Sequence, residues 1–267
     1  MALPEPSSTT AALVTGASSG IGADLARQLA ARGHNVVLVA RRPDRLEALA
    51  GELRDAHGVR AEALACDLTD PDATDALPGR IEALGLEVSV LINNAGYGSA
   101  GQFSDLDVQS EADMVRLNCE AVVRLSGAYV PKLIARDGGG AILVVASSAG
   151  MQPIPGQATY AASKAFALSF AEALHTELSH LDVAVSALCP GPVDTEFAAR
   201  AGLADAFDGV PRFARVSSSD CAKAAIEGLE KNKRVVVPGL AIKGVTLSGR
   251  YTPRAVLLPL MKRFYPV

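Results

Sequence analysis

Cysteine is scarce in this chain and its copies are far apart. Cys66, Cys119, Cys189 and Cys221 form no CxxC pair, which argues against a zinc site or a disulfide framework and fits a reducing, cytoplasmic setting. Positive charge is not in excess. The 25 Lys and Arg residues face 29 Asp and Glu, for a net charge of −4. That balance argues against nucleic-acid binding through a global basic surface and leaves at most a local patch. No run of about 18 apolar residues occurs, so no transmembrane helix is expected. The first ten residues, MALPEPSSTT, lack the basic start and apolar centre of a secretory signal and read as a short disordered lead over 1–10. Internal repeats, low-complexity tracts and interdomain linkers are also missing. The Gly138-Gly139-Gly140 run reads as a loop between a helix and a strand.

What remains is a chain of 267 residues, 49% hydrophobic and 20% charged, a balance that excludes disorder. At this length a single α/β domain is the leading expectation, and such a chain buries roughly three quarters of its unfolded surface. Short apolar runs alternate with helical periodicity. Strands are predicted at Ala11–Thr15, Asn35–Ala40, Ala61–Ala65, Val88–Ile92, Ala141–Ala146, Val183–Leu188 and Arg234–Val237. Helices are predicted from Ile21 to Ala31, Pro43 to Ala56, Asp70 to Leu84, Asp113 to Ala135, Ala158 to Leu181 and Asp220 to Glu230. Strands that are apolar throughout are buried on both faces. The pattern is that of a Rossmann-like, doubly wound, seven-stranded parallel sheet in one domain over 11–245.

Thr15 to Gly22 reads TGASSGIG and joins the first strand to the first helix. Gly16, Gly20 and Gly22 allow a tight turn and a close approach to a pyrophosphate. The free N–H groups of the helix start, around Ser18, Ser19 and Ile21, then face the phosphates. An NAD-binding fold usually places an acid at the end of the second strand to hold the ribose 2′-hydroxyl. Here Ala40 is followed by Arg41 and Arg42, with no carboxylate until Asp44. A guanidinium fork matches a 2′-phosphate, so NADP(H) is preferred over NAD(H); the alternative is that both arginines are solvated surface charges.

Tyr160 and Lys164 are four residues apart within a helical pattern, hence on one face. A free tyrosine titrates near about 10, and a neighbouring cation lowers that value. The pair can then exchange a proton near neutral pH. Ser147 and Ser148 follow the fifth strand. Either can donate a hydrogen bond to a carbonyl oxygen that gains charge on reduction.

With these residues assembled, the chain resembles the short-chain dehydrogenase/reductase family. The resemblance rests on TGASSGIG, Asp67, Asn93-Asn94-Ala95-Gly96, Asn118, Ser147, Tyr160 with Lys164, and Pro190-Gly191, in order over about residues 11–195. The spacing from Ser147 to Tyr160 matches the family and selects Ser147 over Ser148. The resemblance implies hydride transfer between a nicotinamide and a carbonyl or alcohol. Tyr160 would be the proton donor, Lys164 would lower its pKa and bind the nicotinamide ribose, and Ser147 would hold the substrate oxygen. Asn118 would hold a water in a relay reaching Lys164, unless it only kinks its helix. Asp67 would bind adenine beside Leu68, unless it caps the following helix. Asn93 would support the sheet, while Asn94, Ala95 and Gly96 line the cofactor. Pro190, Gly191, Val193 and Thr195 would shape the nicotinamide pocket. One departure stands out: NADP-preferring members often carry a basic residue inside the glycine loop, where this chain has Ser18 and Ser19.

From Thr195 to Ser219 regular pattern is lost. The resemblance makes this segment a lid, and Phe197, Leu203, Phe207 and Phe213 suggest an apolar pocket, unless they are ordinary packing; with the amphipathic tail they favour an apolar carbonyl substrate such as a ketone, 3-oxoacyl, steroid-like or aldehyde compound. The tail over 246–267 is amphipathic. It packs on the body or on a neighbouring subunit, or else lies on a membrane surface or lids an apolar pocket. His175 and His180 read as surface or interface residues. The family assembles as homodimers or homotetramers through two long helices, here roughly 107–136 and 157–180. A catalytically silent NADP-binding sensor and a redox-neutral epimerase or dehydratase are the competing readings. Retention of both Tyr160 and Lys164 argues against the first, and chain length and the TGASSGIG loop against the second.

Overall fold

The computed structural model describes residues 3–193, 195–202, 215–239, 243–244 and 252–264. The seven strands are β1 (Thr10–Thr15), β2 (Asn35–Ala40), β3 (Ala61–Ala65), β4 (Glu87–Asn93), β5 (Gly140–Val145), β6 (Val183–Leu188) and β7 (Val235–Val236). They form one sheet in the order β3-β2-β1-β4-β5-β6-β7, and every pairing is parallel. The helices are α1 (Gly20–Ala30), α2 (Pro43–His57), α3 (Pro71–Glu82), α4 (Val108–Val115), α5 (Ala121–Ala135), α6 (Ala158–Glu177), α7 (Glu196–Arg200), α8 (Ser218–Glu230) and α9 (Arg254–Phe264).

The strands are largely apolar because each face of the sheet has its own core, with the edge strand β3, which carries Glu62, the least buried of the long strands. Ala12, Val14, Val36 and Leu38 point to one side, where Leu25, Leu29, Leu46, Leu53, Ile226 and Leu229 of α1, α2 and α8 cover them. Ala11, Leu13, Val37 and Val39 point to the other, against Leu77, Ile81, Leu125, Leu133 and Leu168 of α3, α5 and α6. Strand order reverses between β1 and β4, and the crevice at their carboxyl ends is where such sheets bind ligands.

Two local readings need correction. The lead is not disordered over residues 3–10. Leu3 packs on the core, and the Asn35 side-chain amide donates to the carbonyls of Ser7 and Thr10, each at 2.9 Å. Asn35 thus clamps the lead to the sheet, helped by the Glu87 N–H, which donates to the Thr9 carbonyl at 2.9 Å. The helix expected from Asp113 to Ala135 starts earlier and is interrupted. Between α4 and α5, Arg116–Glu120 forms a π-helical turn, which contains Asn118. At α3 the cap is Asp70, whose carboxylate accepts from the backbone of Asp72 and Ala73; Asp67 is therefore not that cap. No helix among the described residues is long and apolar enough to cross a membrane.

Candidate active site

At the carboxyl end of β1 the chain turns with Gly16 and Gly20 at φ of 66° and 56°, conformations that favour glycine. A Cβ on Gly16 would lie 2.8 Å from the Asn94 amide nitrogen, and one on Gly22 would strike that nitrogen and the Gly16 carbonyl. Helix α1 then begins at Ser19 with no side-chain cap and no acid in its first turn. Its first N–H groups and positive dipole end are left for an anion. The loop is braced from β4: the Asn94 amide donates to the Thr15 carbonyl at 2.8 Å, and the Thr15 hydroxyl accepts from the backbone of Asn94 and Ala95. Asn94 therefore supports the fold as well as facing the crevice. Asn93 ties β4 to α5 through the Ser126 hydroxyl at 3.1 Å.

The two arginines after β2 have different surroundings. Arg41 is exposed, and its guanidinium makes no hydrogen bond or ion pair with another described residue. Arg42 reaches the glycine loop, donating to Ser18 at 2.9 Å and Ser19 at 3.0 Å. Asp67 is exposed at the end of β3, where its carboxylate accepts from the Thr69 backbone and hydroxyl, while Leu68 is buried beside it. Pro190, Gly191, Val193 and Thr195 follow β6. The Pro190 carbonyl accepts from Ser148 N–H at 2.8 Å, Val193 bridges Val216, and the Thr195 methyl faces Gly20.

The chemistry-bearing side chains meet between β5, the π turn and α6. Ser147 caps the short turn after β5, its hydroxyl accepting from Ala149 N–H at 3.1 Å. Tyr160 and Lys164 stand on the first turns of α6, and all three are buried together with Asn118. The Asn118 amide donates to the Tyr97 carbonyl at 3.0 Å and to the Ser163 hydroxyl at 2.9 Å, and its oxygen accepts from Tyr97 N–H at 3.2 Å. The Ser163 hydroxyl in turn donates to the Tyr160 carbonyl. A Cβ on Gly96 would lie 2.8 Å from the Asn118 oxygen and 3.2 Å from Lys164 Nζ. The bare glycine thus keeps the space between them open.

Burial dominates the electrostatics of this cluster. Burial pushes the Tyr160 phenol up to about 12, opposed by the adjoining Ser147 hydroxyl. Burial also drives the Lys164 ammonium down to about 8, with Cys119 and Cys189 opposing. Lys164 donates to the Val145 carbonyl at 2.9 Å, which anchors it to β5. Desolvation outweighs attraction for both groups.

An apolar mouth surrounds these groups. The Phe197 ring of α7 packs on Tyr160 with centroids 5.4 Å apart. Met114, Ile154, Leu257 and Met261 join the same cluster, with Tyr97 at its margin. The tail helix α9 therefore packs on the body, with Leu257 and Met261 inward at helical spacing. Leu203, Phe207 and Phe213 lie outside the described residues. His175 is bound to the Val185 carbonyl and His180 is exposed, both outside this cluster. Reading the sequence missed Tyr97, Ser163, Arg45 and Glu196. For Arg45 and Ser163 a signal existed: each stands three residues beyond a singled-out residue on a helix, hence on the same face.

Comparison with known proteins agrees with this geometry. The family model for short chain dehydrogenase matches residues 10–205. A very-long-chain 3-oxoacyl-CoA reductase of Anas platyrhynchos is 35% identical over 69% of this chain and 60% of its own length. The corresponding reductase of Phaeosphaeria nodorum is 38% identical, and the match spans 50% of it; the chain thus aligns with little more than half of these relatives. Among solved structures, a short-chain dehydrogenase from Sphingobium yanoikuyae in complex with NADPH is 37% identical with a TM-score of 0.80, covering 94% of this chain and 95% of that one. A bulky-bulky ketone specific alcohol dehydrogenase from Comamonas testosteroni is 31% identical with a TM-score of 0.76, covering 98% and 95%.

Proposed function

The chain belongs to the short-chain dehydrogenase family, and from that premise we propose that it is an NADP(H)-dependent oxidoreductase interconverting an apolar ketone or aldehyde with its alcohol. The observation that carries this reading is the burial of Ser147, Tyr160, Lys164 and Asn118 around one crevice next to the glycine loop. The residues present fit a dinucleotide. Gly16, Gly20 and Gly22 leave room for a pyrophosphate where a Cβ would strike neighbours at two of the three, and the start of α1 offers uncapped N–H groups. Arg41 and Arg42 suit a 2′-phosphate. When bound, the cofactor supplies or accepts the hydride.

The remaining work falls to the chain's own groups. Ser147 donates a hydrogen bond to the substrate oxygen, which gains negative charge as the carbonyl is reduced. Tyr160 delivers the proton to that oxygen and recovers it in the reverse direction. A phenol held up to about 12 stays protonated at neutral pH, so it holds the proton that the forming alkoxide, a stronger base, takes. Lys164 carries a proton that leaves easily for an ammonium, its value being down to about 8, which suits it to resupply the phenol. Asn118 fixes the Tyr97 backbone and Ser163 beneath them. Phe197, Leu257 and Met261 exclude water and favour an apolar substituent on the carbonyl.

Titration of the protein with NADPH and NADH, repeated on Arg41→Ala and Arg42→Ala, tests the cofactor half. NADPH binds more tightly to the wild type, and loss of Arg42 weakens NADPH by about tenfold or more, the worth of a charged hydrogen-bonding pair, while NADH shifts little. Equal affinity for both cofactors, unmoved by either substitution, contradicts it.

A further inference from the structure

Arg42 does not face the glycine loop alone. Besides donating to Ser18 and Ser19 it donates to Glu196 Oε2 at 3.2 Å, and Arg45, one turn further along α2, donates to Glu196 Oε1 at 2.6 Å. Two guanidinium groups thus hold one carboxylate, and Arg42 also ties it to the Ser18 and Ser19 hydroxyls, on the side of the glycine loop where a ribose 2′-substituent is expected. Glu196 opens α7, the helix that also carries Phe197 onto Tyr160.

Resting on the NADP(H) reading above, we propose that Arg45, Ser18 and Ser19 join Arg41 and Arg42 in the 2′-phosphate site, and that Glu196 is an internal counter-anion the phosphate must displace. Arg45 is then a further phosphate-holding cation, and Glu196 a specificity-determining residue that acts against the cofactor this site recognises. The chemistry matches. A carboxylate and a phosphate monoester both accept forked guanidinium donors, but the phosphate carries more charge and three acceptor oxygens. The hydroxyls of Ser18 and Ser19 supply the neutral donors that a third oxygen would use. The ion pairs are also displaceable: Arg45 and Glu196 side chains are 45% and 44% exposed. Pairs so open to solvent stabilise a fold by little, so a tighter anion removes Glu196 at small cost. The absence of a basic residue inside the glycine loop is then made good by Arg45, which approaches from α2.

The test is the ratio of NADH to NADPH dissociation constants in the wild type, Glu196→Gln, Arg45→Ala and Arg42→Ala. Glu196→Gln keeps the shape of the side chain and removes its charge. The expected result is a ratio that rises by about threefold in Glu196→Gln, the scale of an exposed ion pair, and falls in Arg45→Ala and Arg42→Ala. A wild type that prefers NADPH through Arg42, with a ratio unchanged or lowered in Glu196→Gln, overturns this inference and leaves the cofactor reading standing. A wild type that binds NADH as tightly as NADPH, indifferent to Arg42→Ala, removes the cofactor reading and this inference together.

Discussion

Lys164 is a cation held where burial disfavours its charge, and that has a measurable signature. Its value is lowered from 10.5 to about 8 in the folded protein. Below about pH 8 both folded and unfolded chains hold the proton, so the cost of burying the charge is fully present. Between about 8 and 10.5 the unfolded chain holds more protons, so stability rises with pH. Tyr160 acts in the opposite sense at higher pH: raised from 10 to about 12, it contributes stability below 10 that is lost as pH rises toward 12. Urea unfolding of the wild type and Lys164→Met across pH 7 to 10.5 should show a rise attributable to Lys164 in the former that is missing in the latter. Parallel profiles would mean the ammonium is not desolvated. The residue types at this site were legible because Tyr160 and Lys164 share a helix face and Ser147 ends a strand. Their energetics were not, since burial arises from distant elements such as α7 and α9. The role of Asn94 was half visible. Its position beside the crevice followed from the motif, whereas its grip on Thr15 depends on β1 and β4 lying side by side.

At the scale of elements, the π turn over Arg116–Glu120 is the feature that places Asn118. An extra residue in one helical turn re-aims the side chain it carries, and here Asn118 pairs with both backbone groups of Tyr97 in the loop after β4. Asn118→Ala leaves those groups and Ser163 short of partners. The expected loss is about 1–3 kcal/mol of stability, the cost of unpaired buried polar groups, read by denaturant midpoint, together with slower turnover. The uniform apolar spacing of residues 113–135 gave no sign of the interruption, because one inserted residue rotates the helical pattern without erasing it. The glycine loop, by contrast, was readable, since only glycine fits where the backbones of Gly16 and Gly22 meet Asn94. Gly22→Ala should reduce affinity for NADPH and NADH alike and lower the melting temperature. Unchanged binding would show that the loop yields to a Cβ.

For the whole molecule, seven apolar runs separated by helical periodicity specified the parallel sheet. The doubly covered core explains why no strand alternates. The lead and tail were less legible, because each is held by partners far away in sequence: the lead by Asn35, and α9 by the cluster around Tyr160. Val115, Val123 and Phe166 remain exposed on the two central helical segments, and Phe166 stacks on Phe170 at 5.9 Å. We propose that these faces pair two copies of the chain. Phe166→Glu should then lower the mass seen by light scattering to that of a monomer, and a wild type already monomeric would refute the pairing. The central claim is that Tyr160 passes a proton to a carbonyl oxygen while a nicotinamide is oxidised. It is tested most directly by following reduced-nicotinamide absorbance with NADPH and a panel of bulky ketones and aldehydes, in the wild type and in Tyr160→Phe. The account predicts NADPH oxidation by some apolar carbonyl in the wild type and a rate lower by about a hundredfold or more in the variant, the scale of positioned proton transfer. Full turnover in Tyr160→Phe, or tight NADPH binding with no turnover across the panel, would contradict it.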